Sequence, residues 1–424
     1  MKALLRPASA LRRLAWFRLQ ASSFVDSQAG RKPRLLVDLS VIARHDAGTG
    51  IQRVVRAIWN ELIERQPESF DVIPVYAGAN HGYCYLDLTQ VERCRRFTGQ
   101  VVGVTADDKF LGLDLSAHYL HQCAEQLQAW RRTGATVYLV VYDLLPLVRP
   151  EYFTRTTHRH FFKWFETVGA VADRILCISE TVLRDVRARL TATSVHTFGR
   201  LHLSGRIDES VPSIGITPAT AVALGSIRAE QAILMVGTVE PRKGHDAALA
   251  AFERLHQRGE SLAPHLLLVG RPGWKTEQLQ SQVRNHPLLG SSLHWLTDAT
   301  DETLTFLYQR CLATLVASRG EGFGLPLAEA ASHRKWSLTR DLTVFREQNL
   351  PNCIYFNDDA PDALADSMLE VAALARNSHP PAPNMPTWKE CVDCLLDTLG
   401  LRVDKYSGQA CGPEHLAAAS PWAS

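Results

Sequence analysis

The sequence lacks a paired set of cysteines, a marked excess of charge and any long hydrophobic run. Its nine cysteines, an odd number, are scattered over 424 residues, which fits reduced thiols in a cytosol better than a disulfide framework. The lone pair Cys391-x-x-Cys394 has no second pair or nearby histidine, so we expect no zinc site there. A net charge of +2, without a basic stripe and interleaved aromatic residues, argues against a nucleic-acid partner. No apolar run approaches the roughly 20 residues of a membrane-spanning helix.

The length of 424 residues predicts two domains of about 200 residues each. Periodicity is lost in residues 206–230, which collect glycine and proline, so we expect domains at 34–205 and 231–400 with a linker between them.

Residues 1–33 mix arginines with apolar side chains, and two interpretations stay open: an amphipathic segment on an anionic inner-membrane surface, or a basic leader with no role. The tail, 401–424, is expected to be loose. A cytoplasmic protein is expected, with peripheral association at the inner membrane as the open alternative.

The most informative stretch is a predicted strand, glycine-rich turn and helix at residues 313–330. Backbone N–H groups in such a turn, at the positive end of a helix, form an anion-binding site. Pro326 suits the start of the helix, and Glu321 and Glu329 add carboxylates that suit hydroxyl groups. Phosphate and hydroxyl groups together describe a nucleotide sugar. The alternative is a structural turn with surface carboxylates.

The string Glu-Gly-Phe-Gly-Leu-Pro-Leu-Ala-Glu, from Glu321 to Glu329, resembles the Glu-x7-Glu signature of retaining family-4 glycosyltransferases. The resemblance covers roughly residues 34 to 399. It implies an α/β protein with the GT-B fold, in which two Rossmann-like, doubly wound domains face a cleft. The nucleotide sugar is then held mainly by the second domain and the acceptor by the first. Glu321 is implied to bind sugar hydroxyls and stabilise positive charge at the ring, and Glu329 to hold the ribose. The turn residues implied to contact the donor are Gly322, Phe323, Gly324 and Leu325.

A pair of adjacent cations lies upstream, in the string Glu-Pro-Arg-Lys that ends at Lys243. Two cations just before a helix neutralise a diphosphate whose charge grows during the reaction. In the family this pair holds the diphosphate, which implies that role for Arg242 and Lys243. Gly237 and Thr238 follow the preceding strand and are expected at the donor. Many relatives carry arginine in place of Thr238, so the clamp is expected to rest on Arg242 and Lys243 alone, with ordinary surface charge as the alternative.

Two glycines in the first half, Gly48 and Gly50, lie between a predicted strand and a predicted helix. This geometry lets a ligand approach the backbone closely, and the resemblance makes both glycines lip residues of the cleft. The helix has apolar residues at a 3.6-residue spacing, and its Arg53 and Arg56 are interpreted as no more than its solvated face.

Asp143 directly follows a buried strand, a position where open α/β sheets place ligand contacts. Relatives often read His-Asp there, whereas this sequence has Tyr142 before Asp143. We therefore expect Asp143, without a neighbouring imidazole, to contact the sugar. A helix N-cap is the alternative.

A second departure follows the Glu329 helix, where relatives usually have a His-Gly pair and this sequence has His333-Arg334. A non-glycine at such a helix end must take another conformation or bear about 1 kcal/mol of strain.

The resemblance implies a retaining transferase that moves a hexose, with mannose favoured, to a glycan or lipid-linked acceptor in cell-surface polysaccharide assembly such as O-antigen. The donor is a nucleotide sugar, with GDP-mannose favoured and a UDP-sugar as the alternative. The sequence contains no Asp-x-Asp, so no metal ligands and no separate cofactor are predicted, and cationic side chains are expected to stabilise the leaving group. Two other functions stay open: a sugar-phosphate synthase or phosphorylase of the same fold, and a catalytically silent scaffold.

Overall fold

The computed structural model describes residues 31–65, 67–78, 82–87, 99–190, 197–209 and 215–401. Most of the predicted leader (1–30) and of the tail (402–424), and part of the predicted linker (210–214), lie outside the described residues.

Two β-sheets organise these residues, and each is built from buried strands rich in leucine, isoleucine and valine. The first sheet has the order β3-β2-β1-β4-β5-β6-β7 and is parallel except for the antiparallel edge pair β2–β3. Its strands are β1 (Arg34–Asp38), β2 (Asp71–Gly78), β3 (Gly82–Tyr85), β4 (Lys109–Gly112), β5 (Thr136–Val141), β6 (Arg174–Cys177) and β7 (Thr197–Arg200). The second sheet has the order β10-β9-β8-β11-β12-β13 and is entirely parallel. Its strands are β8 (Ala232–Val236), β9 (His265–Val269), β10 (Leu293–Leu296), β11 (Ala313–Val316), β12 (Ser337–Arg340) and β13 (Cys353–Phe356).

The connections between parallel strands are helical, as such sheets require. In the first half the helices are α1 (Ser40–Arg44), α2 (Gly50–Arg65), α3 (Ala124–Arg132), α4 (Leu145–Val148), α5 (Arg155–Val171) and α6 (Glu180–Arg189). In the second half they are α7 (Pro218–Ser226), α8 (His245–Gln257), α9 (Glu277–Arg284), α10 (Asp301–Arg310), α11 (Leu325–Ser332), α12 (Thr343–Arg346), α13 (Pro361–Asn377) and α14 (Trp388–Leu399). The predicted GT-B architecture, with two doubly wound α/β units, is therefore confirmed.

The last helix, α14, belongs to the core of the first sheet rather than the second. Its buried residues, among them Trp388, Cys391 and Leu395, join the first hydrophobic cluster, and the helix packs against α2. The chain thus crosses back to the first sheet after completing the second, as the family resemblance implied.

The prediction of reduced thiols is correct for the six cysteines that are free: Cys84, Cys123, Cys177, Cys311, Cys353 and Cys391. It is wrong for Cys394, which is disulfide-bonded.

Three strands were not predicted: β3, β7 and β12. Each has only four residues, and each carries a glycine or an arginine that interrupts an apolar pattern. Their backbone pairing to a neighbouring strand, rather than their own composition, makes them strands.

Candidate active site

A cleft of about 860 Å³ lies between the two sheets and is lined by loops from both. The loop before α2 and the end of β5 line one wall, and the loops after β8, β9 and β11 line the other. Loops at the carboxyl ends of parallel strands are where open α/β sheets bind ligands. All of the residues predicted for the donor and acceptor lie in this cleft: Gly48, Gly50, Asp143, Gly237, Thr238, Arg242, Lys243, Glu321, Gly322, Phe323, Gly324, Leu325 and Glu329.

Glu321 lies at the centre of a buried charge cluster. One carboxylate oxygen accepts a hydrogen bond from Lys243 Nζ at 2.5 Å, and the other accepts one from Arg242 Nη1 at 2.9 Å. Ser318 Oγ donates to the same carboxylate at 2.7 Å. Burial alone would raise the pKa of Glu321, but the charges of Lys243 and Arg242 outweigh it and lower the pKa to about 2. The carboxylate is therefore ionised at neutral pH and balances the cations.

The two cations are presented by a tight turn, Pro241–Lys243, directly before α8. Arg242 also pairs with Glu240 at 2.7 Å, and burial raises the pKa of Glu240 despite that pairing. Glu321 and Lys243, 78 residues apart in sequence, meet because β8 and β11 are neighbours and both strands end at the cleft.

The glycine-rich turn after β11 approaches the opposite wall so closely that a side chain cannot fit. A Cβ added to Gly322 would lie 2.0 Å from the carbonyl oxygen of Tyr142. Gly324 has a φ of 93° and caps α11, and a Cβ there would lie 2.4 Å from the ring of Phe345. The helix begins at Leu325, so that Pro326 occupies its second position. Residues 322–326, in this turn and at the start of α11, line the cleft.

Asp143 lies on the wall opposite the cations. Burial raises its pKa, while Arg242 lowers it and the nearby Glu321 raises it further. One oxygen of Asp143 accepts the N–H of Leu145 at 2.9 Å, but the N-cap residue of α4 is Leu144, so Asp143 is not the helix cap. Tyr142, in the place of the family's histidine, is buried, and its hydroxyl donates to the carbonyl of Leu113 at 2.8 Å.

Glu329 is almost fully buried in α11 and has partners from both halves of the chain. Tyr308 on α10 donates to one of its oxygens at 2.8 Å. Arg53 on α2 donates to the other. Arg53 also binds Asp301 at 3.0 Å, and Arg56 binds the second oxygen of Asp301 at 3.0 Å.

The interpretation of Arg53 and Arg56 as a solvated face is therefore wrong, since both are only 7% exposed and both pair across the cleft. Their partner Asp301 is the first residue of α10, which Thr300 caps. One further residue of the cleft was missed. Asp114 lies after β4, and burial together with the neighbouring Asp38 raises its pKa to about 7. Asp114 could have been predicted from the same pattern that identified Asp143, which is an acidic residue just after a buried strand.

The departure at the end of α11 has a specific conformation. Arg334 takes a left-handed backbone with a φ of 53°, and its side chain donates to the carbonyl of Pro380 at 3.3 Å. The strain expected for a non-glycine is therefore present at this turn.

Within the described ranges, no group of three or more histidine, cysteine, aspartate or glutamate side chains is placed to hold a metal ion. Each helix in the same ranges is too short or too polar to cross a bilayer.

Comparisons with known proteins agree with this geometry. Residues 222–379 match the family model of the glycosyl transferases, group 1. The serotype-specific mannosyltransferase WbdA of Escherichia coli is 38% identical over 381 residues, which is 86% of this chain and 45% of that relative. The chain thus spans about half the length of the curated relatives it matches most fully. The O-antigen chain mannosyltransferase B of Escherichia coli is 35% identical over 99 residues, 23% of this chain and 26% of that protein.

Two solved structures share the fold at low sequence identity. HepE of Anabaena, in complex with UDP and glucose, is 14% identical with a TM-score of 0.57, over 87% of this chain and 99% of its own. The sucrose-phosphate synthase of Thermosynechococcus elongatus is 14% identical with the same TM-score, over 88% of this chain and 97% of its own. The chain therefore has the GT-B fold, and its residues 222–379 form a group 1 glycosyl transferase domain.

Proposed function

We propose that the protein is a retaining glycosyltransferase that moves mannose from a nucleotide sugar, GDP-mannose by preference, to a glycan or lipid-linked acceptor in O-antigen assembly. The observation that carries the proposal is the convergence of Arg242 and Lys243 on Glu321 beside the N-terminus of α11, inside a cleft lined by both sheets. The preference for mannose rests on the printed names of the Escherichia coli relatives.

The charge cluster suits a diphosphate. Glu321 neutralises Lys243 and Arg242, so both cations are held in place at the cleft. A diphosphate that binds them replaces the carboxylate as their partner. Glu321 is then free to accept hydroxyl groups of the sugar and to stabilise positive charge on its ring. Positioned cations of this kind lower the energy of a developing anion because they need no reorganisation during the reaction.

The proposed reaction is a substitution with retention at the anomeric carbon. The bond between the anomeric carbon and the diphosphate oxygen breaks through an oxocarbenium-like state. The acceptor hydroxyl enters on the same face and forms the new glycosidic bond, and its proton passes to a diphosphate oxygen. Arg242, Lys243 and the amides of residues 322–325 stabilise the leaving diphosphate. Asp143, on the opposite wall, is positioned to orient the sugar or the incoming acceptor.

The division of the chain into an acceptor-side domain (34–205), a linker (206–230) and a donor domain (231–400) forms part of the proposal. So does a cytoplasmic location with peripheral association at the inner membrane, since a lipid-linked acceptor would be presented there.

A calorimetric donor panel tests the proposal. Wild type is titrated with GDP-mannose, UDP-glucose, UDP-N-acetylglucosamine and ADP-glucose in the presence of EDTA, alongside Lys243→Ala. The matched control is Lys163→Ala, an exposed lysine on α5 outside the cleft. We expect one donor to bind at micromolar concentration to wild type and control and to lose most of its affinity in Lys243→Ala. Absence of binding by every donor to folded protein would favour the scaffold alternative. If inorganic phosphate or a hexose phosphate accepts the sugar, the protein is instead a phosphorylase or synthase.

A further inference from the structure

Four charged residues join the two sheets across the cleft: Arg53 and Arg56 on α2, and Asp301 and Glu329 on the opposite wall. We call this set the interdomain latch. The side chains of Arg53 and Arg56 are 8% and 9% exposed, and those of Glu329 and Asp301 are 2% and 12% exposed. Ion pairs shielded to this extent are screened far less by solvent than surface pairs are.

Both oxygens of Glu329 are hydrogen-bonded and shielded from solvent. Arg53 Nη1 donates to one oxygen and Tyr308 to the other, and the residue as a whole is 1% exposed. Because Arg53 and Glu329 both line the cleft, a ligand hydroxyl reaches the carboxylate only if a shielding side chain moves aside. The neighbouring Arg56 occupies Asp301 and Asp46 and makes no bond to Glu329.

The loop of residues 45–49, which lines the cleft, is hydrogen-bonded to Gln52 on α2. The side-chain carbonyl of Gln52 accepts the N–H of Ala47 at 2.7 Å and of Thr49 at 3.2 Å, and its amide donates to the carbonyl of His45 at 2.6 Å. The Asp46–Arg56 pair adds a further connection at 2.5 Å. A movement of α2 away from Glu329 would therefore carry the loop around Gly48 with it and widen the cleft.

We propose that Arg53 competes with the donor's ribose for Glu329, so that a nucleotide must displace Arg53 from this carboxylate in order to bind. The inference rests on the proposed function, because it takes Glu329 as the carboxylate that receives the ribose hydroxyls. Donor binding then opens the latch at Arg53, while Arg56 stays on Asp301. Arg53 therefore lowers the affinity for the donor by competing for Glu329, and it does not itself contact the donor.

The test compares Arg53→Gln with Arg56→Gln, which removes a cation from the same helix and the same aspartate but leaves Glu329 paired. Calorimetry measures the Kd of the nucleoside diphosphate that wild type binds, and of its 2′,3′-dideoxy form. A buried charge-assisted hydrogen bond corresponds to about tenfold or more in an equilibrium constant. We expect Arg53→Gln to bind the nucleotide about tenfold more tightly than wild type, Arg56→Gln to change the Kd less than about threefold, and the dideoxy form to show no gain in Arg53→Gln.

Several results would overturn the proposal. An unchanged or raised Kd in Arg53→Gln would make Arg53 irrelevant to the donor or a ligand of it. An equal gain in Arg56→Gln, or an equal gain with the dideoxy form, would reflect general loosening of the cleft and not competition at Glu329. If Arg53→Gln does not fold, Arg53→Lys replaces it, since a lysine reaches only one of the two carboxylates.

A measurement without nucleotide separates this inference from the proposed function. Small-angle X-ray scattering should give the same radius of gyration for Arg53→Gln and wild type, because Arg56 still joins Asp301 across the cleft. A larger radius would mean that any gain in affinity reflects a general opening of the cleft and not competition at Glu329. Absence of nucleotide binding to wild type would reject the proposed function, and with it the competition at Glu329.

Discussion

The substitution Glu321→Gln gives the most quantitative prediction, because the free energy of unfolding depends on the ionisation of this one carboxylate. Glu321 has an ordinary pKa of 4.5 and a folded-state pKa of about 2, and its side chain is 9% exposed. A folded pKa below the unfolded one means that the stabilisation is present above pH 4.5 and is lost as the pH falls towards 2. With ~1.4 kcal/mol for each pKa unit, the carboxylate contributes about 3 kcal/mol to the free energy of unfolding at pH 7 and about 1 kcal/mol at pH 3.

The assay is urea unfolding of wild type and Glu321→Gln at a series of pH values from 7 to 3. The difference between their free energies of unfolding should shrink by about 2 kcal/mol over this range. Titrating groups that do not interact with Glu321 cancel in the difference because both proteins contain them. Glu166→Gln, an exposed glutamate on α5, is the matched control and should show no such trend. A difference between wild type and Glu321→Gln that stays constant with pH would refute the argument that Lys243 and Arg242 depress the pKa of this carboxylate.

Three further predictions concern the turn after β11, the end of α11 and the start of α6. Gly322→Ala should lower the free energy of unfolding by about 1–3 kcal/mol in urea titrations, because its Cβ would lie 2.0 Å from the carbonyl oxygen of Tyr142; an unchanged stability would mean that the two walls are not in contact. Arg334→Gly should raise the melting temperature, by relief of up to about 1 kcal/mol of left-handed strain, and a lower melting temperature in calorimetry would contradict this. Glu347→Gln should cost about 1 kcal/mol, since that carboxylate accepts the N–H groups of Glu180 at 2.9 Å and Thr181 at 3.0 Å at the start of α6; thermal unfolding identical to wild type would show that this cap is dispensable.

The sequence was most informative where chemistry and topology coincide. The family resemblance implied that Arg242, Lys243 and Glu321 contact the donor. Each of them follows a buried strand, and parallel strands end at one edge of a sheet. The structure brings them into contact across 78 residues of sequence for that reason. Glycine content and the position of Pro326 were sufficient to predict the turn and the start of α11 to within one residue.

The interdomain latch was missed for an equally physical reason. Arg53 and Arg56 lie on the polar face of an amphipathic helix, and helical periodicity assigns such a face to solvent. Their partner Asp301 is 248 residues from Arg53 in sequence, so only the facing of the two sheets brings them together. The short strands β3, β7 and β12 were missed because pairing with neighbours, which periodicity does not report, determines their structure.

The measurement that tests the central claim most directly is proton NMR of the product formed from GDP-mannose and a mannose oligosaccharide acceptor. The claim is that the Arg242–Lys243–Glu321 cluster supports transfer with retention. It predicts an α-linked product from the α-linked donor, formed by wild type and by Lys163→Ala and lost in Lys243→Ala. A β-linked product, or transfer that survives in Lys243→Ala, would contradict it.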